Sequence, residues 1–96
     1  MSKVFLLMKN YIPIPNVLKQ RENEEFLILA NKDSNIYYLN DMAKTMWLLI
    51  DGKISIKDIY EKINNEYDVT SEELQNDIID FIRDLQWKRL ISLKEV

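Results

Sequence analysis

The 96-residue sequence predicts an α+β fold in which a small three-stranded antiparallel sheet is followed by three helices. Three observations lead to this prediction. Short runs of β-branched and aromatic residues, separated by polar turns, occur between residues 17 and 39. After Leu39 the apolar residues change from strand-like to helix-like spacing, and two pairs of helix-capping residues follow. The length suits one domain, which we expect to span residues 17–93.

The predicted strands cover residues 17–22, 25–30 and 36–39, and polar segments between them form the turns of a meander. Tyr37 and Tyr38 must point to opposite faces of the last strand, so one is expected to pack and the other to be available for contact. We expect residues 1–16 to form an N-terminal arm and a proline-containing linker or short strand, because each proline keeps its predecessor extended.

Each predicted helix begins at a recognisable capping residue. Asn40 is the expected N-cap of a first helix that ends near Ile50 and is followed by a turn at Gly52. Ser55 and Asp58 form a capping box for the second helix. Residues 70 and 73 form the same device for a third helix that runs to about residue 89, after which residues 90–93 are a last short strand. The first helix directs these residues toward the core: Met42, Ala43, Met46, Trp47 and Ile50.

The third helix combines an apolar stripe with a ridge of carboxylates. At 100° per residue, the stripe occupies about a third of the circumference and contains Leu74, Ile78, Phe81, Ile82 and Leu85. The ridge beside it contains Asp77, Asp80 and Asp84. Between residues 68 and 84 there are six acidic residues and a single Arg, so this helix is the most acidic part of the chain.

The composition excludes several kinds of chemistry. The chain has no Cys and no His, which removes thiolate nucleophiles, disulfides, Cys/His zinc sites and imidazole acid–base catalysis. Paired carboxylates such as Asp77 and Asp80 can serve as acid and base or bind a hard cation. However, no nucleophile, phosphate-binding loop or glycine-containing calcium loop accompanies them. We therefore predict no catalytic residue, no metal and no cofactor.

Charge and hydropathy limit the partners that the protein can have. The apolar run at residues 4–8 is too short for a signal peptide or a spanning helix, so we expect a cytoplasmic protein without a membrane partner. Strands followed by three helices resemble the winged helix-turn-helix plan, which is typical of DNA-binding proteins. The net charge of −3 and the acidic third helix disfavour nucleic acid, because phosphates would be repelled.

The third predicted strand suggests binding of another kind. Residues 36–39 contain no charge and no proline, and an uncapped edge of this composition can accept a strand from another chain. That chain could be a peptide or a second copy of the protein in a homodimer. A winged-helix DNA-binding regulator and a small structural subunit of a larger complex stay as alternatives.

Several short motifs occur in a characteristic order along the chain. They are Leu39-Asn40-Asp41-Met42-Ala43, Trp47-Leu48-Leu49-Ile50-Asp51-Gly52, Ile59, Glu66-Tyr67-Asp68-Val69, Asp77-Ile78, Phe81-Ile82 and Leu85. This ordered set resembles the PqqD-like proteins, the peptide-recognition elements of ribosomally made, modified peptides. The resemblance extends from about Asn16 to Leu93. Asp68 and Arg89 depart from it, because both stand where the family often has glycine.

The resemblance implies a winged helix-turn-helix-like adaptor that binds the leader segment of a precursor peptide as an added strand. The leader would lie between the third strand and the third helix and be presented to a peptide-modifying enzyme or a leader protease. Carried onto this sequence, the strand side of the site would be Ile36, Tyr37, Tyr38 and Leu39, and the helix side Asp77, Asp80, Phe81 and Asp84. An apolar leader residue is expected to rest on Phe81 and Tyr38, and the aspartates would favour a leader that carries Lys or Arg.

Overall fold

A computed structural model of the protein describes residues 3–66 and 71–95. The elements follow one another in the order α1 (Lys3–Met8), β1 (Ile12–Pro15), β2 (Val17–Glu22), β3 (Leu27–Asn31), β4 (Ile36–Leu39), α2 (Asp41–Leu48), α3 (Ile56–Glu66), α4 (Ser71–Trp87) and β5 (Ile91–Lys94). The predicted α+β class is confirmed, with a three-stranded antiparallel sheet followed by the three helices α2, α3 and α4.

The three-stranded sheet has the order β2-β3-β4, and its two faces follow from the register. Leu29 lies opposite Tyr37 and Leu27 opposite Leu39, so these residues share the inner face, where the leucines are buried. The alternate residues of the three strands share the outer face. Gln20 of β2 also points inward, since its side-chain oxygen accepts a hydrogen bond from the indole N–H of the buried Trp47 at 3.1 Å.

Residues 3–16 pack onto the rest of the chain and are not a free arm. Phe5 of α1 is buried and meets the ring of Tyr60 edge-on, with ring centroids 5.2 Å apart. The segment with both prolines forms β1, which pairs antiparallel with β5, so a two-stranded sheet joins the two ends of the chain. The main-chain oxygens of Lys9 and Tyr11 accept hydrogen bonds from the N–H groups of Lys57 and Ile56, at 2.9 Å each, and so satisfy donors in the first turn of α3.

The helices bury their apolar faces in one core beneath the sheet. In α4 the predicted stripe is buried at Leu74, Ile78, Ile82 and Leu85, whereas Phe81 is only half-buried. The buried face extends further round the helix than predicted, because it includes Gln75 and Ile79. In α2 the prediction is wrong for Met42, which is 50% exposed at the start of the helix and turned away from the core.

The capping predictions can be compared with the structure at two of the three helices. The Asn40 side chain accepts the N–H of Ala43 at 3.0 Å, and Ser55 and Asp58 exchange reciprocal hydrogen bonds of 3.2 Å, so both caps are confirmed. Helix α2 ends at Leu48, two residues before the predicted end, because Leu49 is its C-cap. The predicted box at Thr70 and Glu73 includes a residue outside those that the structure describes.

No helix within residues 3–66 and 71–95 is both long enough and apolar enough to cross a membrane.

Candidate functional site

Strand β4 forms one edge of the three-stranded sheet, and no described strand pairs with its other side. The main-chain N–H of Asn31 donates to the oxygen of Asn35 at 3.0 Å, which makes these opposed residues a hydrogen-bonded pair. Hydrogen-bonded and non-bonded pairs alternate along an antiparallel ladder, so Tyr37 and Leu39 bond to β3. The N–H and C=O groups of Ile36 and Tyr38 therefore point away from the sheet, toward the free edge.

The opposite edge of the sheet, β2, is protected against pairing in ways that β4 is not. Strand β2 has a register shift between Val17 and Lys19, which bends the strand and interrupts the ladder. Its remaining residues, 19–22, are all charged or polar. By contrast, the four residues of β4 are two aliphatic residues and two tyrosines in unbroken register with β3. Of these two edges, β4 is the one with the chemistry to accept another strand.

The two tyrosines of β4 point to opposite faces, as expected from strand geometry. Tyr37 is half-buried on the inner face, on the same side as the helices. Tyr38 lies on the outer face, 67% exposed, and its ring meets Phe26 edge-on with centroids 5.6 Å apart. The tyrosine on the helix side of the strand is thus Tyr37, not Tyr38 as the anchor hypothesis required.

Three side chains of α4 and one of the residue that follows the helix lie along one side of it. Asp77, Phe81, Asp84 and Lys88 recur at intervals of four, three and four residues, which places them along one side of the helix. The last of them identifies which side faces the strand, because the Lys88 ammonium lies 5.2 Å from the centroid of the Tyr37 ring. We call these four residues the helix row.

Within the helix row, part of the charge is neutralised. Lys88 bonds to Asp84 at 2.7 Å, an (i, i+4) ion pair that remains partly exposed. Asp77 has no ion-pair partner among the described residues. Asp80 is exposed and lies further round the helix, about 60° from Asp77 at 100° per residue, so it borders the row without belonging to it.

Two long-range contacts hold the β3–β4 hairpin against the end of α4. The buried Asn31 donates from its side-chain nitrogen to the Lys88 main-chain oxygen at 2.8 Å, while its side-chain oxygen accepts the N–H groups of Asp33 and Asn35. Arg89 forms an ion pair of 2.8 Å with Asp33. These contacts fix the position of the free edge relative to the helix row.

The structure connects Asp84 to the helix side of β4 through Lys88, which pairs with Asp84 and lies over the Tyr37 ring. Asp77 and Phe81 lie on the same side of α4 by their helical spacing. Ile36 and Tyr38 contribute main-chain groups to that edge but turn their side chains to the outer face, and Leu39 is buried. Sequence reasoning did not include Lys88 and Asn31. Lys88 could have been found from the sequence, because it continues the spacing of Asp77, Phe81 and Asp84 by one further turn. Asn31 could not, because its hydrogen bond spans 57 residues and no local sequence pattern indicates it.

The site has few groups suited to catalysis. Among the described residues, no group of three or more carboxylates is placed to hold a metal ion. The site contains main-chain donors and acceptors at the β4 edge, with the Tyr37 ring and the Lys88 ammonium beside them. Groups of this kind are suited to binding an extended peptide.

Comparison with known proteins agrees with this architecture. The family model of coenzyme PQQ synthesis protein D, PqqD, matches residues 25–91. The chain belongs to the PqqD family. The match includes β3, β4, α2, α3 and α4, while α1, β1 and all of β2 precede it. No curated protein matches the chain.

A solved structure supports the fold of this PqqD-family chain. The structure described as "TbiB1 in Complex with the TbiA(beta) Leader Peptide" aligns with a TM-score of 0.72 and 20% sequence identity. The alignment covers 80% of this chain and 94% of the other. At this identity the likeness establishes the fold, and the predicted fold class is confirmed.

Proposed function

We propose that the protein is a non-catalytic adaptor that binds the leader segment of a ribosomally synthesised precursor peptide and delivers it to a modifying enzyme or leader protease. The free edge of β4, with Lys88 of the helix row over its Tyr37 ring, is the observation that carries the proposal. Membership of the PqqD family and the leader peptide in the structure of the similar protein support it.

The leader would add a strand to β4. Ile36 and Tyr38 each offer one N–H and one C=O toward the free edge, so a leader strand can form up to four main-chain hydrogen bonds there. Bonds of this kind do not depend on the side chains of the leader and would tolerate varied leader sequences. Specificity would come from the side chains that the leader places against the helix row.

The helix row suggests the chemistry of those side chains. Phe81 and Tyr37 are both half-buried, and we expect them to provide the apolar and aromatic surface for an anchor residue of the leader. Because Asp84 is paired with Lys88, the attraction for a basic leader residue comes mainly from Asp77, with Asp80 at the border. The proposed leader therefore carries one apolar anchor and a Lys or Arg near it.

The experiment removes a hydrogen-bond donor from the free edge without removing one from the sheet. In Tyr38→Pro the lost N–H faces the edge, where proline is tolerated. The matched control, Tyr38→Ala, loses the same side chain but keeps the N–H. Calorimetric titration with leader segments of precursors encoded beside the gene should give an affinity at least about threefold weaker for Tyr38→Pro than for Tyr38→Ala, since one net hydrogen bond is lost.

Urea denaturation of both variants establishes that they are folded before binding is compared. Ile36→Pro provides a second test, because its N–H also faces the edge and it is the first residue of the strand. Equal leader affinity of the proline and alanine variants would contradict the addition of a strand to β4. If no neighbouring leader binds the folded wild-type protein, the proposed function itself is wrong.

A further inference from the structure

The outer face of the three-stranded sheet is a second surface, distinct from the free edge and the helix row. Two rows of side chains cross it, each beginning with a cation on β2 and ending with an apolar residue on β4. One row is Lys19, Ala30 and Ile36, and the other is Arg21, Ile28 and Tyr38. These six residues, which we call the outer face, line a shallow depression of about 660 Å³ together with Gln20.

The outer face exposes apolar area at its β4 side. Ile36 is 60% exposed and Tyr38 67% exposed, and both are side by side with half-buried residues of β3. No described helix covers this side of the sheet, since the core lies on the inner face. Contiguous apolar area of this kind on a small domain indicates a surface that a partner covers.

The charge of the outer face is opposite to that of the whole molecule. The chain has a net charge of −3, yet all the ionisable residues of the outer face apart from Tyr38 are cations. Lys19 and Arg21 are exposed, and neither has an ion-pair partner among the described residues. Of the nearby carboxylates, Glu22 pairs with Lys44 at 2.9 Å on the inner side and Asp33 pairs with Arg89, whereas Glu24 and Glu25 are exposed in the turn between β2 and β3.

We propose that the outer face docks the enzyme that receives the leader, through an apolar surface of that enzyme bordered by Asp or Glu residues. This inference rests on the proposed function. The exposed apolar residues of the outer face favour contact with another protein. The two cations beside them favour Asp or Glu residues at the border of that protein's contact surface. Two cations supply too few phosphate contacts for a nucleic-acid site on an acidic protein.

The positions of the two surfaces allow the leader and the enzyme to bind at the same time. The leader uses the main-chain groups at the β4 edge and the helix row on the inner side, whereas the enzyme contacts side chains on the opposite face. Lys19 and Arg21 lie on β2, the strand furthest from the free edge, so changing them leaves the leader site intact.

The test reverses both cations of the outer face. The variant Lys19→Glu/Arg21→Glu is compared with Lys57→Glu/Lys62→Glu, which changes the net charge equally at exposed positions on α3. Each protein is saturated with a leader segment and titrated against the purified modifying enzyme and leader protease encoded beside the gene. We expect the outer-face variant to bind at least about tenfold more weakly and to lose most of the salt dependence of binding. The α3 control should bind as the wild-type protein does.

Leader affinity, measured separately without the enzyme, should be unchanged in both variants. Enzyme binding that is equal in the outer-face variant and the wild type would overturn the inference. So would a wild-type protein that binds its leader but neither enzyme.

If the outer-face variant instead abolishes self-association seen by sedimentation, the face pairs two copies of the protein and the enzyme assignment is wrong. A wild-type protein that binds an enzyme but no leader would refute the proposed function and leave the docking face supported.

Discussion

At the scale of single residues, Arg89 shows how α4 ends in a left-handed residue that is not glycine. Its φ of 57° is left-handed, a conformation that favours glycine. The N–H of Leu90 bonds to Leu85 and the N–H of Arg89 to Gln86, the two hydrogen bonds of a Schellman motif at the end of α4. The helix thus ends in the usual way without the glycine, and the Arg89 side chain gains an ion pair with Asp33.

Substitution of Arg89 separates the backbone strain from the ion pair. Arg89→Ala loses the ion pair but still places a residue with a Cβ in the left-handed conformation. Arg89→Gly also loses the ion pair, but it relieves the backbone strain. Since a left-handed residue with a Cβ costs about 1 kcal/mol or more, we expect Arg89→Gly to be more stable than Arg89→Ala by about 1 kcal/mol. Urea denaturation of the two variants checks this. An alanine variant as stable as the glycine variant would show that the left-handed turn carries no strain.

Phe81 is the residue of the helix row from which we expect the largest effect on leader binding. Phe81→Ala removes the apolar surface on which the leader anchor rests, and we expect the affinity to fall about tenfold. Arg83→Ala, an exposed position on another side of the same helix, is the control and should bind normally. Because Phe81 also packs against the core, thermal melts must establish that the variant is folded at the titration temperature. Unchanged affinity in a folded variant would move the anchor away from this helix.

At the scale of elements, the connection between α2 and α3 is stabilised by its own side chains. Asp51 accepts the main-chain N–H of Lys53 at 2.8 Å and of Ile54 at 3.1 Å, and Gly52 takes a φ of 78° between them. The hydrogen bond from Lys53 is the main reason that the pKa of Asp51 lies below its ordinary value. These hydrogen bonds lie within four consecutive residues, in the turn that precedes α3.

This lowered pKa predicts the pH dependence of the turn. A carboxyl group whose pKa is lower in the folded state stabilises the fold fully above its unfolded pKa of about 3.9, and this contribution is lost as the pH falls through the folded pKa. We expect the wild type to be more stable than Asp51→Ala at pH 7 and the difference to narrow below about pH 4. Urea denaturation at a series of pH values measures it. A stability difference that stays constant from neutral to acid pH would contradict the role of the ionised carboxylate.

At the scale of the whole molecule, residues 3–16 join the sheet and helices into one unit. They contribute β1 to the pair with β5, main-chain acceptors to the start of α3, and Phe5 to the core. The family match begins only at residue 25, so these contacts connect a segment that precedes the match with elements inside it.

A chain that begins at residue 17 tests how much this unit depends on its N-terminal part. We expect it to be less stable than the full chain by at least about 3 kcal/mol, the usual cost of removing one buried phenylalanine, with the β1 pairing lost in addition. The point variant Phe5→Ala isolates the contribution of the buried ring. Urea denaturation should place the shortened chain below Phe5→Ala in stability. Equal stability of the shortened and full chains would mean that residues 3–16 are only attached to the surface.

The local features of this fold were predictable from the sequence because each is decided within a few residues. The caps at Asn40 and Ser55 depend on side chains that reach three residues along the chain. The change of period after Leu39 reports where strands end and helices begin. The alternation of Tyr37 and Tyr38 follows from strand geometry alone. Of the candidate site, this reasoning correctly placed the edge residues of β4 on a strand and Asp77, Phe81 and Asp84 on one helix.

Only the tertiary structure decided how these elements meet. Strand order depends on packing across the whole chain, so the sequence could not determine that β4 would be an edge or that β1 would pair with β5. A period of two residues shows that neighbouring tyrosines face opposite ways, but it does not show that Tyr37 is the one beside α4. That assignment comes from Lys88, which lies 51 positions from Tyr37 in the sequence and is brought to its ring because the core beneath the sheet orients α4.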